Sequence, residues 1–246
     1  MIELLSALDP IRCIGFLAGL AVLWTMTGIL TEQQKLHEAD SRKINHMAVF
    51  VGGSLLFGWL PEASARVNLY AVCSAILIMV VIVCCFRNAV PFRYAYAANT
   101  RQSDAPHVTF FFWVSWVVSI AALAMVDVLF AQMAVTRIAV LIVGIADGVA
   151  EPIGRRYGRH RYRVLSLWGP SSFRSLEGSL AVWGTTLAVI LCCSAHIGTG
   201  QSTWLVAALT TASVVAVVEA ISPRGCDNFT LLLSAASLTN IFLLTQ

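Results

Sequence analysis

The sequence predicts an all-α fold: a polytopic integral membrane helix bundle with about eight transmembrane helices, seven to nine being compatible with the pattern. Three observations predict it. The 246 residues are 58% hydrophobic and only 12% charged, with mean hydropathy +0.79, whereas an ordinary soluble domain carries roughly 25% charge. The apolar residues fall into long runs, and a run of roughly 17 to 25 residues is what a helix needs to cross a bilayer. No internal repeat or low-complexity linker interrupts them, so residues 1–246 read as a single integral membrane domain with no room for a separate soluble one.

The first run, Cys13–Leu30, follows an N-terminus bearing Glu3 and Asp9. That terminus lacks the basic region of a signal peptide and the arginine- and serine-rich character of a transit peptide. The second run, Ile44–Leu60, begins within Ser41-Arg42-Lys43-Ile44-Asn45-His46. The third, Leu69–Phe86, and the fourth, Val108–Val126, are separated by a connection containing Asn99 to His107. The fifth, Met133–Ala146, stops at Asp147 and opens a polar island that extends to Ser179. The sixth, Leu180–Ile197, follows that island. The seventh, Trp204–Val218, ends at Glu219, and the eighth, Phe229–Leu244, is preceded by Asp227 and Asn228. The second, fifth and seventh are short or marginal, so the count could be seven or nine. The seven cysteines lie mostly inside the runs and form no CxxC pair, which suits small apolar residues in helices.

Eight spans divide the cations unequally. One side receives Lys35, Arg42, Lys43, Arg87, Arg93, Arg101, Arg155, Arg156, Arg159, Arg161, Arg163, Arg174 and Arg224; the other receives Arg12, Arg66 and Arg137. This 13-to-3 split predicts a cytoplasmic basic side and external termini. Topology and contact with anionic lipid would explain the arginines, but not the acids and glycines among them.

Four polar clusters fall on the basic side. Arg42, Lys43 and His46 stand at helical spacings of three and four, a face suited to a polyphosphate or to basic anchoring at a helix start. Residues 99–107 offer an arginine, an acid and a histidine without diagnostic spacing, and a solvated loop is the plainer reading. In the island, Asp147, Ala150, Gly154 and Gly158 share a helical face if the helix continues past Asp147, although Pro152 is expected to kink or end it. Those small residues would admit a nucleotide or another backbone, as in small-residue helix packing. Packing gives no reason for Asp147, and acids near bilayer depth point to function.

Downstream, Arg174-Ser175-Leu176-Glu177-Gly178-Ser179 places a cation, hydroxyls and an acid at a helix N-terminus, where anions bind. The last cluster holds Glu219 at the end of an apolar run, then Asp227 and Asn228, whose commoner use is capping. Asp147, Glu177, Glu219 and Asp227 together supply carboxylate enough for a magnesium ion carrying a nucleoside triphosphate.

In this combination the chain resembles the CTP-dependent lipid-alcohol kinases: dolichol kinase, phytol kinase and the CTP-using diacylglycerol kinase. The family pattern Arg-Lys-x-x-His matches Arg42, Lys43 and His46. Asp-x-x-Ala-x-x-x-Gly-x-x-x-Gly matches Asp147, Ala150, Gly154 and Gly158, and Lys-Ser/Thr-x-Glu-Gly-Ser/Thr matches Arg174 through Ser179. A late Glu followed by Asp-Asn matches Glu219, Asp227 and Asn228. Arg174 stands where the family usually has lysine, which keeps charge and changes donor geometry. Residues 99–107 depart from the Gly-Pro-rich, tyrosine-bearing segment of phytol kinases.

The resemblance implies transfer of the γ-phosphoryl of CTP, or another nucleoside triphosphate, to a lipid hydroxyl with Mg2+ at the cytoplasmic face. Such chemistry rests on positioning and charge neutralisation. It implies phosphate binding by Arg42, Lys43, Arg155 and Arg174, and nucleotide contacts at Gly148, Gly154, Gly158, Ser175, Glu177, Gly178 and Asn228. Asp147 and Glu177 would hold the metal, with Glu219 as a further ligand. Asp227 would accept the hydroxyl proton or orient the alcohol, with His46 as the alternative base; Lys43 and Asp147 complete the catalytic set. The acceptor class is open among phytol, geranylgeraniol, longer polyprenols and diacylglycerol, and no nucleic-acid partner is expected.

Three other readings compete. A lipid cytidylyltransferase would use the same face, CTP and magnesium. A transporter would place its acids along the midplane, whereas here they gather on one side. A scaffold would leave the acids without purpose. The expected location is a bacterial inner membrane, with an endoplasmic reticulum or plastid membrane as alternatives.

Overall fold

A computed structural model describes residues 7–57, 60–164, 172–197, 201–223 and 225–244 of the chain. Arg224 lies outside the described residues. Among them are nine α-helices and one two-stranded hairpin, an all-α membrane-type bundle as the composition predicts. The chain forms two compact units, residues 1–117 and 118–246, with the boundary inside a helix.

The first unit contains α1 (Pro10–Glu32), α2 (Glu38–Phe57), α3 (Glu62–Cys85), α4 (Phe92–Asn99), a 3-10 turn (Gln102–Asp104) and the start of α5 (Val108–Phe130). α1 starts where Pro10 follows Asp9, whose side chain accepts the Arg12 N–H; proline suits the first turn and aspartate the cap. Asn68 of α3, fully buried, accepts the Asp9 N–H and donates to the carbonyls of Ala7 and Ser64. The core joins Cys13, Leu20 and Trp24 of α1 to Val72, Ile76, Val80 and Val83 of α3, with Phe57 and Phe112.

The short helix α4 lies in a stretch that carries no apolar run, so hydropathy gives no sign of it. It rests directly on α1: a Cβ at Gly28 would overlap the backbone carbonyl of Tyr94. Only glycine permits this approach. Arg93 then grips Glu32 in a forked pair, Nε to Oε1 at 3.0 Å and Nη2 to Oε2 at 2.7 Å.

The second unit holds the rest of α5, α6 (Met133–Tyr157), β1 (Arg161–Val164), β2 (Ser172–Ser175), α7 (Leu176–Ile197), α8 (Gln201–Ile221) and α9 (Asp227–Leu244). α6 touches α7 and α9, and α8 touches the same two, so the four helices close into a ring. Its interior is filled by Ile142, Val143 and Ala146 of α6, Val182 of α7, Ala208, Ala212 and Val215 of α8, and Leu231, Leu232, Ala235 and Ala236 of α9. Small alanines at facing positions let helices approach closely where water supplies no driving force.

Each of the eight expected runs coincides with a helix among the described residues. Among the described residues, six helices are long and apolar enough to cross a membrane: α1, α3, α5, α6, α7 and α8. α2 carries Glu38, Asp40, Arg42 and Lys43 near its start, and α9 spans 18 residues opening on Asp227. The fifth run, short by its apolar residues alone, belongs to a helix of 25 residues that passes Asp147 and contains Pro152. Pro152 neither ends that helix nor isolates the face carrying Asp147, Ala150 and Gly154. Lacking an N–H, it leaves the Gly148 carbonyl without its usual helical donor. Many large apolar side chains face outward, among them Ile11, Val22, Val128, Leu180, Val217 and Ile221. That is the surface of an integral membrane protein, whose outer solvent is hydrocarbon.

Candidate functional site

Among the described residues the polar island continues α6 to Tyr157 and then forms a two-stranded antiparallel pair before α7. Arg161-Tyr162-Arg163-Val164 alternates exposed and inward side chains with the period of a strand. It pairs antiparallel with β2 in the register Arg161↔Ser175, Tyr162↔Arg174, Arg163↔Phe173 and Val164↔Ser172. Opposed residues share a face. Tyr162 and Arg174 therefore point together, while Arg163 lies over the Phe173 ring on the other face, 5.9 Å from its centroid.

The start of α7 holds the hairpin in place. Ser175 caps the helix, its Oγ accepting the Gly178 N–H at 3.1 Å, the bond an N-terminal serine makes to the third helical residue. Glu177 reaches back: its Oε1 accepts the backbone N–H of Arg159 at 3.0 Å and of His160 at 3.3 Å, and meets His160 Nδ1 at 3.0 Å. Glu177, expected as a metal ligand, thus fastens the chain that leads into β1.

The glycines of the island admit another backbone. A Cβ at Gly154 would lie 2.8 Å from Ser175 Oγ, one at Gly158 2.8 Å from the same side chain, and one at Gly178 2.9 Å from the Ala150 carbonyl. Gly154, Gly158, Ser175 and Gly178 are thereby drawn into one close contact between α6 and the β2–α7 junction. Gly148 is buried within α6, and Arg155 is half-buried in its last turn.

The acids converge on Arg174. Its Nη1 lies 3.1 Å from Glu219 Oε1, with the side chains 15% and 8% exposed, and its Nη2 lies 3.8 Å from Asp227 Oδ2. The Nη1 contact is ionic and off the hydrogen-bond axis, so that buried nitrogen has no aligned acceptor. Glu219 Oε2 accepts from Ser179 Oγ at 3.0 Å, and Ser179 in turn meets the Tyr162 hydroxyl at 2.7 Å. Asp147, buried on α6, and Asp227 both act electrostatically on Glu219. Glu219 and Asp227 approach because the chain reverses between α8 and α9 through Gly225, at φ 90°, a conformation that favours glycine.

Asp227 combines two uses. Its Oδ1 accepts the neighbouring Asn228 N–H at 3.1 Å, at the start of α9, while Oδ2 faces Arg174. Asn228 donates to Ser119 Oγ at 2.8 Å, and its Oδ1 is buried without a hydrogen-bond partner. Among the described residues, no three His, Cys, Asp or Glu side chains stand close enough to share a metal ion.

Arg42, Lys43 and His46 lie on α2, in the first unit. Lys43 is buried and His46 stacks on Phe50, centroids 4.4 Å apart. Their neighbours form a buried polar network: Ser41 and Asn45 both donate to the Ala98 carbonyl, and Thr27 Oγ1 meets Asn45 Oδ1 at 3.2 Å. The segment 99–107, whose plainer reading is a solvated loop, begins buried at Asn99 and Thr100 and is tied to α2 by the Gln102 N–H on Glu38.

Sequence reasoning missed Tyr162, Asn45 and Ser119 as members of polar networks. The alternation of residues 161–164 carried the signal for Tyr162, and the Ser41–Asn45 spacing of four carried that for Asn45. In comparisons with known families, characterised proteins and solved structures, nothing matches this chain.

Proposed function

We propose that the protein transfers the γ-phosphoryl group of CTP to the hydroxyl of a membrane lipid alcohol. What carries this reading is the meeting of Arg174, Glu219 and Asp227, with Asp147 in electrostatic reach, at one end of the α6–α9 ring. These residues come from motifs separated by up to 80 positions, and they are among those the family resemblance selects. Ordinary helix packing gives no reason to gather two acids on one arginine, with a third acid acting on one of them.

In the proposed reaction the lipid hydroxyl oxygen bonds to the γ-phosphorus. The bond from that phosphorus to the β–γ bridging oxygen breaks, and CDP leaves. Asp227, whose side chain is 32% exposed, takes the hydroxyl proton. Arg174 holds phosphate oxygens, and its Nη1 already lacks an aligned acceptor.

Magnesium fits the donor set. Glu219 and Asp227 together exceed Arg174 by one negative charge, and Asp147 adds to that field. Mg2+ is commonly held by one or two carboxylates plus substrate phosphates, without a full protein cage. Asp147 and Glu219 would hold it, and it would neutralise charge on the transferred group. Glu177, engaged with the hairpin, is left out of that set, and Arg42, Lys43 and His46 are not needed for it. The 13-to-3 cation asymmetry supports a cytoplasmic site; a bacterial inner membrane is the proposed location.

The test is purified protein in detergent with γ-labelled CTP, magnesium, and phytol, geranylgeraniol, a polyprenol or diacylglycerol. Label in a lipid is the expected result and names the acceptor. If all four stay unlabelled with folded protein, the reading fails, and α-labelled CTP with phosphorylated lipids then tests cytidylyl transfer.

A further inference from the structure

We infer that Tyr162 is a positioning residue that fixes the Glu219 carboxylate through Ser179. The inference rests on the phosphoryl-transfer reading and adds a residue that neither motif spacing nor family pattern selects.

The donor order follows from the chemistry of the three groups. An ionised Glu219 only accepts, so Ser179 must spend its single hydroxyl proton on Glu219 Oε2, 3.0 Å away. Ser179 Oγ can then only accept from Tyr162, 2.7 Å away, and the phenol must be the donor. The chain runs in one direction, Tyr162 to Ser179 to Glu219, and it occupies Oε2. Oε1 is left to face Arg174 at 3.1 Å.

Among the described residues, the Ser179 hydroxyl meets Tyr162 and Glu219. A serine hydroxyl in the first turns of a helix can also turn to a carbonyl of the preceding turn. The Tyr162 proton occupies a lone pair of Oγ and directs the serine proton outward to Glu219. The hairpin register delivers the phenol: Tyr162 lies opposite Arg174, so both reach the Glu219 side of the hairpin. Burial pushes the Tyr162 phenol above its ordinary range, and the nearby Glu219 charge adds to that shift. The phenol therefore stays protonated and able to donate wherever the protein is folded and active.

Glu219 held in one rotamer keeps Arg174 aimed and leaves its own charge where the proposed metal needs it. Without the relay the residues remain, but the carboxylate is free to rotate. Losses of this outer-shell kind are commonly 10- to 100-fold in activity.

The experiment compares wild type with Tyr162→Phe, Ser179→Ala, Ser179→Thr and the Tyr162→Phe/Ser179→Ala double variant. Each is assayed for γ-label transfer, with kcat and the KM for CTP obtained separately, and each is checked for thermal stability. The expected result is a fall in kcat of about tenfold or more for Tyr162→Phe, with KM within about twofold. Ser179→Ala should fall similarly, the double variant no further than the worse single, and Ser179→Thr should retain most activity because its hydroxyl persists. Full kcat in a folded Tyr162→Phe protein, or additive losses in the double variant, overturns the inference while the phosphoryl-transfer reading stands. A folded wild type that labels no lipid overturns that reading, and this inference with it.

Discussion

Arg174 of β2 and Glu219 of the last turn of α8 meet at 3.1 Å, both largely enclosed, 45 positions apart in sequence. A buried ion pair gives little net stability, but removing one member strands the other charge, at a cost of about 3–5 kcal/mol. Arg174→Gln is therefore expected to lower stability by about 3 kcal/mol, because Glu219 and Asp227 lose their shared cation. The double variant Arg174→Gln/Glu219→Gln should recover part of the loss. Thermal unfolding in detergent reads both, and a double variant less stable than Arg174→Gln would show that the two side chains are not coupled.

Two of the glycines at the α6–α7 junction, Gly154 and Gly178, should respond differently. Gly154→Ala meets only the Ser175 side chain below 3 Å, so adding Ser175→Ala relieves it. Gly178→Ala meets the Ala150 carbonyl at 2.9 Å, and no serine change moves that backbone. Each single change should destabilise by about 1–3 kcal/mol, with rescue by Ser175→Ala confined to Gly154. Equal rescue at both positions would contradict the contact geometry.

Glu177 separates two roles cleanly. If it fastens the hairpin, Glu177→Ala should speed tryptic cleavage at Arg159, Arg161 and Arg163 while leaving the magnesium dependence of activity within about twofold. Glu219→Asp should do the reverse, weakening the magnesium response. His160→Ala should matter less than Glu177→Ala, since the ring is 74% exposed and supplies one of several bonds to the carboxylate. A tenfold rise in the magnesium requirement of folded Glu177→Gln would restore the metal-ligand role.

On α1, Gly28→Ala collides with the Tyr94 carbonyl and should displace α4. Gly15 and Gly19 have nothing within 4 Å of an added Cβ. Alanine there is expected to be neutral or to stabilise by up to about 1 kcal/mol through helix propensity. Thermal unfolding of the three single variants, with Gly28→Ala the least stable, is the check. Similar behaviour of all three would remove the account of α4 docking.

The hydrophobic runs were legible because length and hydropathy alone carry them: each of the eight coincides with a helix among the described residues. The shortest, Met133–Ala146, was under-read because Asp147 and Pro152 look like a boundary, while packing around α6 lets the helix continue through both. α4 was invisible because its eight residues contain no apolar run, and its place depends on Gly28. The site was legible in its acids. Asp147, Glu219 and Asp227 are anomalous in apolar surroundings, and Glu219 and Asp227 are brought together on Arg174, which the hairpin supplies. The hairpin contacts of Glu177 were hidden because most of them are to backbone N–H groups of residues 159 and 160, which no side-chain pattern displays.

The enclosure of α6 has a consequence for how the protein is made. Of the most apolar 18 residues of this helix 72% are buried by protein, against 22–39% in the other five candidate spans. Asp147, at the cytoplasmic end in the proposed orientation, and Arg137, near the other, each resist insertion by up to about 3 kcal/mol on translocon scales. α6 alone is thus a weak candidate for release into lipid from the insertion machinery. Retention falls to the helices synthesised after it, and of the ring's four members α9 is the last to leave the ribosome. The polar end cannot close before α9 arrives, so a nascent chain holding α6 to α8 still exposes Asp147 and Glu219, and it is at that stage that quality control would recognise it.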